Sequence, residues 1–500
     1  MKTIAEKYSK EIRCVLSCFD RILINGTLPE LSHARGMTDY LYKKGVKIFD
    51  YVKFAEPLRD IIKQTAEQIA KANNIEIEFV RNTDIRKEDL IKEKLLQKGN
   101  APGVVHILSA LELCPSYQPW HDKKTGKTYL KPDTGKCLHY YFYFNDEKLG
   151  YGFVRVSTWC PFRLQVYVNG HSILARKLQE AGIKYTMLDN AFDSIGDTGK
   201  AQQLADEISP GELMEKLNEL AWKYCPVYKQ LDLRYHWFIK QAEYATDIVF
   251  KKQNRLQQIY SELIATAIHT VQPDNIATFL GQKLSPLYKG EMGNNYQVRI
   301  TGSRIKHIMG KASIKMYDKF SKILRIETTI NDVSFFKHYR EVVHLDRSKS
   351  TKMAHLKKNI FSLPLLKDNM DASNKRYMDF ISAFDNKNAG IKRLQKITES
   401  KEINNRKYKG LNFFSKNDLK ILMSIIRGEF NISGFRNKDL RRFIAFKSNK
   451  ISRVLKRLWS HGLIEKAGNS YKYYVTKLGK EAIIMAEKIK KLVIIPAFNY

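Results

Sequence analysis

Two sets of side chains in this 500-residue chain have the types and spacing to work on a phosphodiester. The first is a trio of carboxylates, Asp20, Glu112 and Asp189, each within or at the end of an apolar run. If those runs are neighbouring strands, their rigid backbones aim the three acids at one point, as a metal centre requires. Carboxylate oxygens suit Mg²⁺, which keeps several of its waters. Divalent ions held in this way activate water and stabilise the leaving oxygen. The second set surrounds Tyr317. Residues 313–319 and 324–331 alternate apolar and polar, so Tyr317 shares the polar face of a hairpin with Lys315, Lys319, Arg325 and Glu327. Its hydroxyl could attack a phosphate held by Lys315, Lys319 and Arg325. Both sets also have a plainer reading. Asp20 pairs with Arg21, Asp189 caps a turn with Asn190, and Tyr317 packs on a basic sheet edge.

Smaller signals stand beside these. Cys137 and His139 alternate onto one face of a strand, although two ligands do not complete a metal site. Tyr140, Tyr141, Phe142, Tyr143 and Phe144 form an aromatic run, which could stack bases or be divided between core and rim. Asn169, Gly170 and His171 open a helix whose amides could hold a phosphate.

These residues need elements to position them. Strand patterns cover residues 14–28, 75–80, 103–113, 137–144, 151–158, 163–168 and 183–188. Asp20 falls in the first, Glu112 ends the third and Asp189 follows the last. Helical patterns cover 34–44, 57–73, 87–98 and 172–181. From 210 to about 282 the apolar spacing reads as helical, with 213–224 and 241–267 the main segments. Residues 297–331 return to strands, and 333–400 read as basic and mostly helical. The fold expected is α+β. An N-terminal mixed α/β region with an antiparallel meander (1–205) leads to a helical middle (206–296). A β-hairpin insert with basic helices (297–400) and a C-terminal winged helix (401–500) follow.

The last segment carries the most specific pattern. Ser415 precedes a helix with Leu419, Leu422, Met423 and Ile426 on one face, and a short helix covers 438–445. Ser448 caps a third helix with Ile451, Val454, Leu455 and Leu458 inside and Lys450, Arg453, Lys456 and Arg457 outside. Strands at 463–466 and 471–475 flank a turn with Gly468-Asn469, and a helix covers 478–492. The third helix fits a major groove, with Ser448 and Asn449 at its base-reading end, and Lys472 in the hairpin could reach a phosphate. This order, with the string Leu458-Trp459-Ser460-His461-Gly462-Leu463-Ile464-Glu465, resembles the winged helix-turn-helix of MarR-like regulators.

Two further resemblances follow. Lys315-Met316-Tyr317-Asp318-Lys319 with Leu324-Arg325-Ile326-Glu327 is similar to a strand pair in rolling-circle replication initiators. That likeness implies a nicking tyrosine and a metal held by closely spaced histidines, yet none of the 12 histidines here pair at i, i+2. Phe19-Asp20-Arg21, Lys136-Cys137-Leu138-His139, Tyr167-Val168-Asn169-Gly170-His171, the Tyr317-Asp318-Lys319 hairpin and the tail together resemble a family of uncharacterised bacterial proteins. That resemblance implies a bacterial origin and one architecture, and supplies no activity.

Charge points the same way. Lys and Arg number 86 against 52 Asp and Glu, a net charge of +34, which a polyanion would neutralise. No apolar run approaches the ~18 residues that span a bilayer. The N-terminus lacks a secretory pattern, and the six cysteines show no C-x-x-C spacing. The chain is therefore expected in the cytoplasm, with nucleic acid, DNA or RNA, as partner, no membrane, and a homodimer left open. Two function classes remain. One is a mobile-element enzyme that cuts or joins phosphodiesters as a nuclease or transposase does. Its catalytic candidates are Asp20, Glu112, Asp189 and Tyr317, and its metal ligands are the three acids with Mg²⁺. The other is a non-enzymatic transcriptional regulator or RNA-binding scaffold.

Overall fold

The computed structural model describes residues 3–81, 86–99, 101–285, 288–299, 302–383, 387–468 and 470–495. The chain divides into two compact units, Met1–Ala383 and Phe384–Tyr500.

The first unit is built on one long sheet. Its strands are β1 (Ile12–Thr27), β2 (Ile77–Phe79), β3 (Gly103–Asp122), β4 (Lys127–Asp146), β5 (Gly150–Ser157) and β6 (Leu164–Val168). After a separate hairpin, β7 (Tyr185–Met187) with β8 (Phe192–Ile195), come β9 (His236–Phe250), β10 (Met292–Arg299), β11 (Gly302–Met309), β12 (Ala312–Lys319) and β13 (Ile323–Ile330). The order across the sheet is β10-β11-β12-β13-β9-β1-β6-β5-β4-β3-β2. Every pair is antiparallel except β2 with β3. The expected meander is β4-β5-β6, and the expected hairpin is β12-β13 within the four-stranded run β10–β13.

Three expectations change. The helical middle contains β9, the strand that joins the two halves of the sheet. Its sequence is apolar on both faces at Ala242, Tyr244, Ala245, Ile248, Val249 and Phe250, because both faces are covered. Such a run has no period of two, so it imitates a buried helix. The helix begins only at Gln253. Second, the segments 1–205, 206–296 and 297–400 all give strands to the one sheet. β1 pairs with β9, over 200 residues later, a contact that local pattern does not encode. Third, the basic region after β13 holds a further hairpin, β14 (Lys337–Val343) with β15 (Lys349–His355), before the helix Leu363–Ala383.

One face of the sheet carries the main core. Phe142, Val154, Val166, Tyr244, Ile248, Met316 and Ile326 meet residues such as Ile62, Leu217, Leu263 and Met370 from the helices Tyr51–Ala72, Pro210–Tyr224, Gln253–Thr270 and Leu363–Ala383. At about 25 cal/mol per Å² of apolar surface removed from water, this face supplies most of the driving force. The opposite face is covered in patches. Ile91 of the helix Lys87–Lys98 sits on Leu108, Tyr141 and Tyr143, while Leu174, Leu178 and Phe192 pack near Leu16 of β1. On β1, β9, β13 and β12 this same face carries a tract of polar side chains.

The second unit has its own core, with Leu422, Ile425, Leu440, Ile451, Leu455, Leu458, Leu463 and Ile483 in it. After a helix (Lys387–Thr398) and a small hairpin, β16 (Lys401–Ile403) with β17 (Arg406–Tyr408), come helices Lys416–Ile425, Gly428–Ser433, Asn437–Leu440 and Ser448–Ser460. A hairpin, β18 (Ile464–Lys466) with β19 (Tyr473–Val475), and the helix Lys477–Ile489 complete it. Phe435 forms a β-bridge with Tyr473, which adds a third short extended segment to that hairpin. Asn469 of the expected turn lies outside the described residues. Among the described residues, no helix is long and apolar enough to cross a membrane.

Candidate functional site

The site is made by a bulge in β1. The pairing with β9 shifts between Phe19 and Arg21, leaving Asp20 as the extra residue. Phe19 and Ile22 stay in the main core, so Asp20 and Arg21 both emerge on the opposite face. A bulge re-aims a side chain in this way, often beside functional centres. On β9, Glu243 and Asp247 share that face. On β13 it is Arg325 and Glu327, and on β12 it is Lys315, Tyr317 and Lys319. The register sets Asp247 opposite Arg325, Arg325 opposite Tyr317, and Glu327 opposite Lys315.

Arg325 is the hub. It is fully buried and donates to Asp247 from Nε (2.6 Å) and Nη2 (2.7 Å), to Asp20 Oδ1 from Nη1 (3.1 Å) and to the carbonyl of Asn190 (2.9 Å). His171, on the first turn of the helix Gly170–Glu180, lies between the same two acids, with Nδ1 3.2 Å from Asp20 and Nε2 3.5 Å from Asp247. Gly170 is required there, because a Cβ would fall 2.0 Å from the carbonyl oxygen of Phe19. The turn between β7 and β8 closes the top. Asn190 donates to Asp20 Oδ1 at 2.9 Å, and Lys319 donates to Asn190 Oδ1.

A second cluster adjoins the first. Lys315 Nζ contacts Glu327 at 2.5 Å and Glu243 at 3.6 Å, and Tyr317 donates to the other Glu327 oxygen at 2.8 Å. Asp20, Glu243 and Glu327 each offer a carboxylate oxygen, and these atoms lie within 4.8 Å of one another. Oxygen ligands of this kind could hold a divalent cation, with Lys315 Nζ already contacting two of the three acids.

Burial opposes ionisation of Asp20 and Asp247, but His171 and Arg325 overcome it. Asp20 is held far below the usual carboxylate range, and Asp247 falls to about 2. His171 is raised well above its ordinary value against its burial, by Cys18, Asp20 and Asp247. Burial, then the Glu327 charge, raises Glu243. Burial and the Arg325 charge bring Lys319 down to about 8. Burial and Glu327 push Tyr317 well above its ordinary value, so its hydroxyl stays protonated at neutral pH.

The expected acid trio does not converge. Glu112 is on β3, with β4, β5 and β6 between it and β1, about 19 Å away at about 4.8 Å per strand. It is bound there by Arg155 (2.6 Å), Lys87 (2.9 Å) and the Tyr141 hydroxyl (2.7 Å), which hold its carboxyl near 2 against its burial. Asp189 has a left-handed φ of 53° in the β7–β8 turn. Its side chain is 70% exposed and 3.7 Å from Lys319, because among the described residues β7 pairs with β8 alone, outside the main sheet. Tyr317, Lys315, Lys319 and Arg325 do converge with Asp20. Lys315 and Arg325 are spent on acids, which removes them from the set of free phosphate contacts.

Sequence reasoning missed Glu243 and Asp247 as site residues, because the segment reads as a helix. The available signal was Asp247 itself, a lone acid inside Ala245-Thr246-Asp247-Ile248-Val249-Phe250. The sequence places His171 at a helix start that could hold a phosphate; its ring faces Asp20 and Asp247 instead. Among the aromatic run, Tyr140, Phe142 and Phe144 enter the main core and Tyr141 and Tyr143 the smaller one, so the five rings are not a stacking platform. His139 Nδ1 approaches Cys137 Sγ at 3.8 Å.

In the second unit, Ser448, Asn449, Lys450, Arg453 and Lys456 are exposed along one helix. The helix starts at Ser448, with Lys447 as its cap and no capping side chain. Ser448 Oγ donates to Asn437 Oδ1 at 3.4 Å. Arg457 is bound to Asp418 at 2.5 Å and is withdrawn from the basic face. Lys472 lies over the Tyr474 ring, 5.7 Å from its centroid.

Comparison with protein-family models, curated proteins and solved structures returns no match.

Proposed function

We propose that the protein binds nucleic acid and breaks or transfers phosphodiesters at the β1–β9–β13–β12 centre, using a divalent cation. The observation that carries this is the approach of Asp20, Glu243 and Glu327 carboxylate oxygens to within 4.8 Å of one another. A buried group of acids is costly unless something positive shares it, and perturbed ionisable groups cluster where chemistry is done. Such an ion supplies Lewis-acid polarisation of a phosphoryl oxygen and an activated water. The protein's own groups do the rest. Lys319, nearly poised between its charged and neutral forms at about 8, faces the same centre and can hold or give a proton. Arg325 and His171 fix Asp20 in place.

Binding is supported by the net charge of +34 and by the exposed basic helix Ser448–Ser460. The order of helices and hairpin around that helix, with the Phe435–Tyr473 bridge, supports a winged helix that uses it as a recognition element.

One observation favours a binder without catalysis. Four acids (Asp20, Glu243, Asp247, Glu327) face four bases (His171, Lys315, Lys319, Arg325), so the cluster is already neutralised as a set. Titration of the full chain with Mn²⁺ by calorimetry, with cleavage assays on labelled single- and double-stranded DNA and RNA in Mg²⁺, Mn²⁺ or EDTA, separates the two. Metal binding and metal-dependent cleavage, both lost in Glu243→Gln, are expected. Nucleic-acid binding without either would leave the binder.

A further inference from the structure

β14 and β15 pair with each other and with no other strand among the described residues, so they form a two-stranded ribbon. Isolated hairpins are marginally stable, and exposed edges are usually blunted or covered. This one carries large apolar side chains in the open. Tyr339 and Met353, directly opposite each other, are 70% and 55% exposed, and Leu345 at the tip is completely so. Around them stand Lys337, Arg340, Arg347, Lys349 and Lys352 against two acids, Glu341 and Asp346. Glu341 is paired with Lys349 at 3.1 Å and Asp346 accepts from Ser348, so the outward field is positive.

We infer that this ribbon is an arm that lies in the major groove of duplex DNA. The inference rests on the nucleic-acid reading above and adds the form of the ligand. Two strands of seven residues span about 24 Å at about 3.4 Å per residue, roughly two-thirds of a helical turn of DNA. The B-form major groove, about 12 Å wide, admits a two-stranded ribbon, whereas the A-form groove of duplex RNA is too narrow. Tyr339 and Met353 offer apolar contact to base edges such as thymine methyls, with Lys337 and Lys349 on their own face of the ribbon and Arg340 and Lys352 on the other. A polyanion satisfies the charge and the apolar pair together.

The test compares the full chain with its Lys337→Glu/Lys352→Glu variant for binding to a 40-bp DNA duplex, the matching RNA duplex and the single DNA strand. The expected result is about a tenfold or larger loss for duplex DNA, a salt slope shallower by about 2, and smaller losses on the other probes. Equal affinity of parent and variant for duplex DNA overturns the arm and leaves the nucleic-acid reading standing. Equal losses on all three probes overturn groove docking. A parent that binds none of the nucleic acids overturns both readings. A second measurement does not depend on the variant ribbon being folded. Leu345→Cys carries a solvatochromic dye selectively, because all six native cysteines are buried. Its emission should shift on adding duplex DNA and stay fixed with duplex RNA; an unchanged spectrum with DNA overturns the inference.

Discussion

Arg325 grips Asp247 with two parallel hydrogen bonds, Nε to Oδ1 at 2.6 Å and Nη2 to Oδ2 at 2.7 Å, and both side chains are buried. The pair joins the two strands on which the polar centre depends. Bidentate geometry is the strongest form of this contact, and desolvation makes each partner dependent on the other. Arg325→Met strands Asp247 and Asp20 without their shared counter-charge. We expect it to destabilise the first unit by about 3–5 kcal/mol, read from urea unfolding. Asp247→Leu combined with Arg325→Met should recover much of that loss. If Arg325→Met costs under about 1 kcal/mol, the cluster is not a cooperative unit.

Stability should also depend on His307, outside the centre. It is fully buried on β11, with Nδ1 2.7 Å from Asn294 Oδ1 and Nε2 3.0 Å from the Tyr377 hydroxyl. Burial lowers its pKa to about 4, so the folded ring is neutral at pH 5 while the unfolded chain takes a proton below about 6.5. Its share of stability is therefore complete above about pH 6.5, falls as pH drops, and is exhausted near pH 4. The full span is about 3 kcal/mol at 1.36 kcal/mol per pKa unit. His307→Gln should flatten the melting temperature between pH 6.5 and 4; an unchanged slope would show that other groups set it.

On the helix Ser448–Ser460, Arg453 and Lys456 are exposed, while Arg457 is held by Asp418. Arg453→Glu with Lys456→Glu should lower nucleic-acid affinity by about tenfold or more at low salt and leave the melting curve unchanged. Arg457→Ala should do the reverse, costing stability through the lost Asp418 contact with a smaller effect on binding. Anisotropy and circular dichroism on the full chain distinguish the two patterns.

Much of the second unit was legible in sequence because its signals are local, although the helix Gly428–Ser433 and the hairpin β16–β17 were not. Its apolar stripe at Ile451, Leu455 and Leu458 and its stop at Gly462 fall within a few residues of what they control. The hairpin of Tyr317 was legible for the same reason, since alternation fixes both faces and the register follows. The centre itself was half legible. Asp20, Tyr317 and Arg325 stood out by type, but their meeting depends on β1 pairing with β9 and on a one-residue bulge, neither of which leaves a mark in spacing. Glu112 was a false partner for the same reason: an acid in an apolar strand looks alike whichever strand is its neighbour. The β14–β15 ribbon reads as helical because none of its side chains is fully buried, so its alternation of exposed and half-buried positions leaves no apolar period of two in the sequence.

The division of labour between Glu327 and Tyr317 gives the sharpest test of the proposed chemistry. Glu327 has two contacts that matter, Lys315 on one oxygen and the Tyr317 hydroxyl on the other, and it is one of the three acids that converge. Tyr317 is held protonated, first by burial and then by that carboxylate, so a phenolate nucleophile would be costly to form. If the cation-dependent route operates, Glu327→Gln should reduce Mn²⁺ affinity and cleavage together by about a hundredfold or more, the scale on which removing a group that stabilises the transition state is felt. Tyr317→Phe removes one hydrogen bond, about 1 kcal/mol, and should leave cleavage within about tenfold of the parent. Denaturing gels of radiolabelled single-stranded DNA incubated with each protein provide the readout. A protein–DNA adduct that survives denaturation and disappears in Tyr317→Phe would assign the attack to the tyrosine and reduce Glu327 to its hydrogen-bond acceptor. Cleavage that persists in Tyr317→Phe and vanishes in both Glu327→Gln and EDTA would assign it to an activated water.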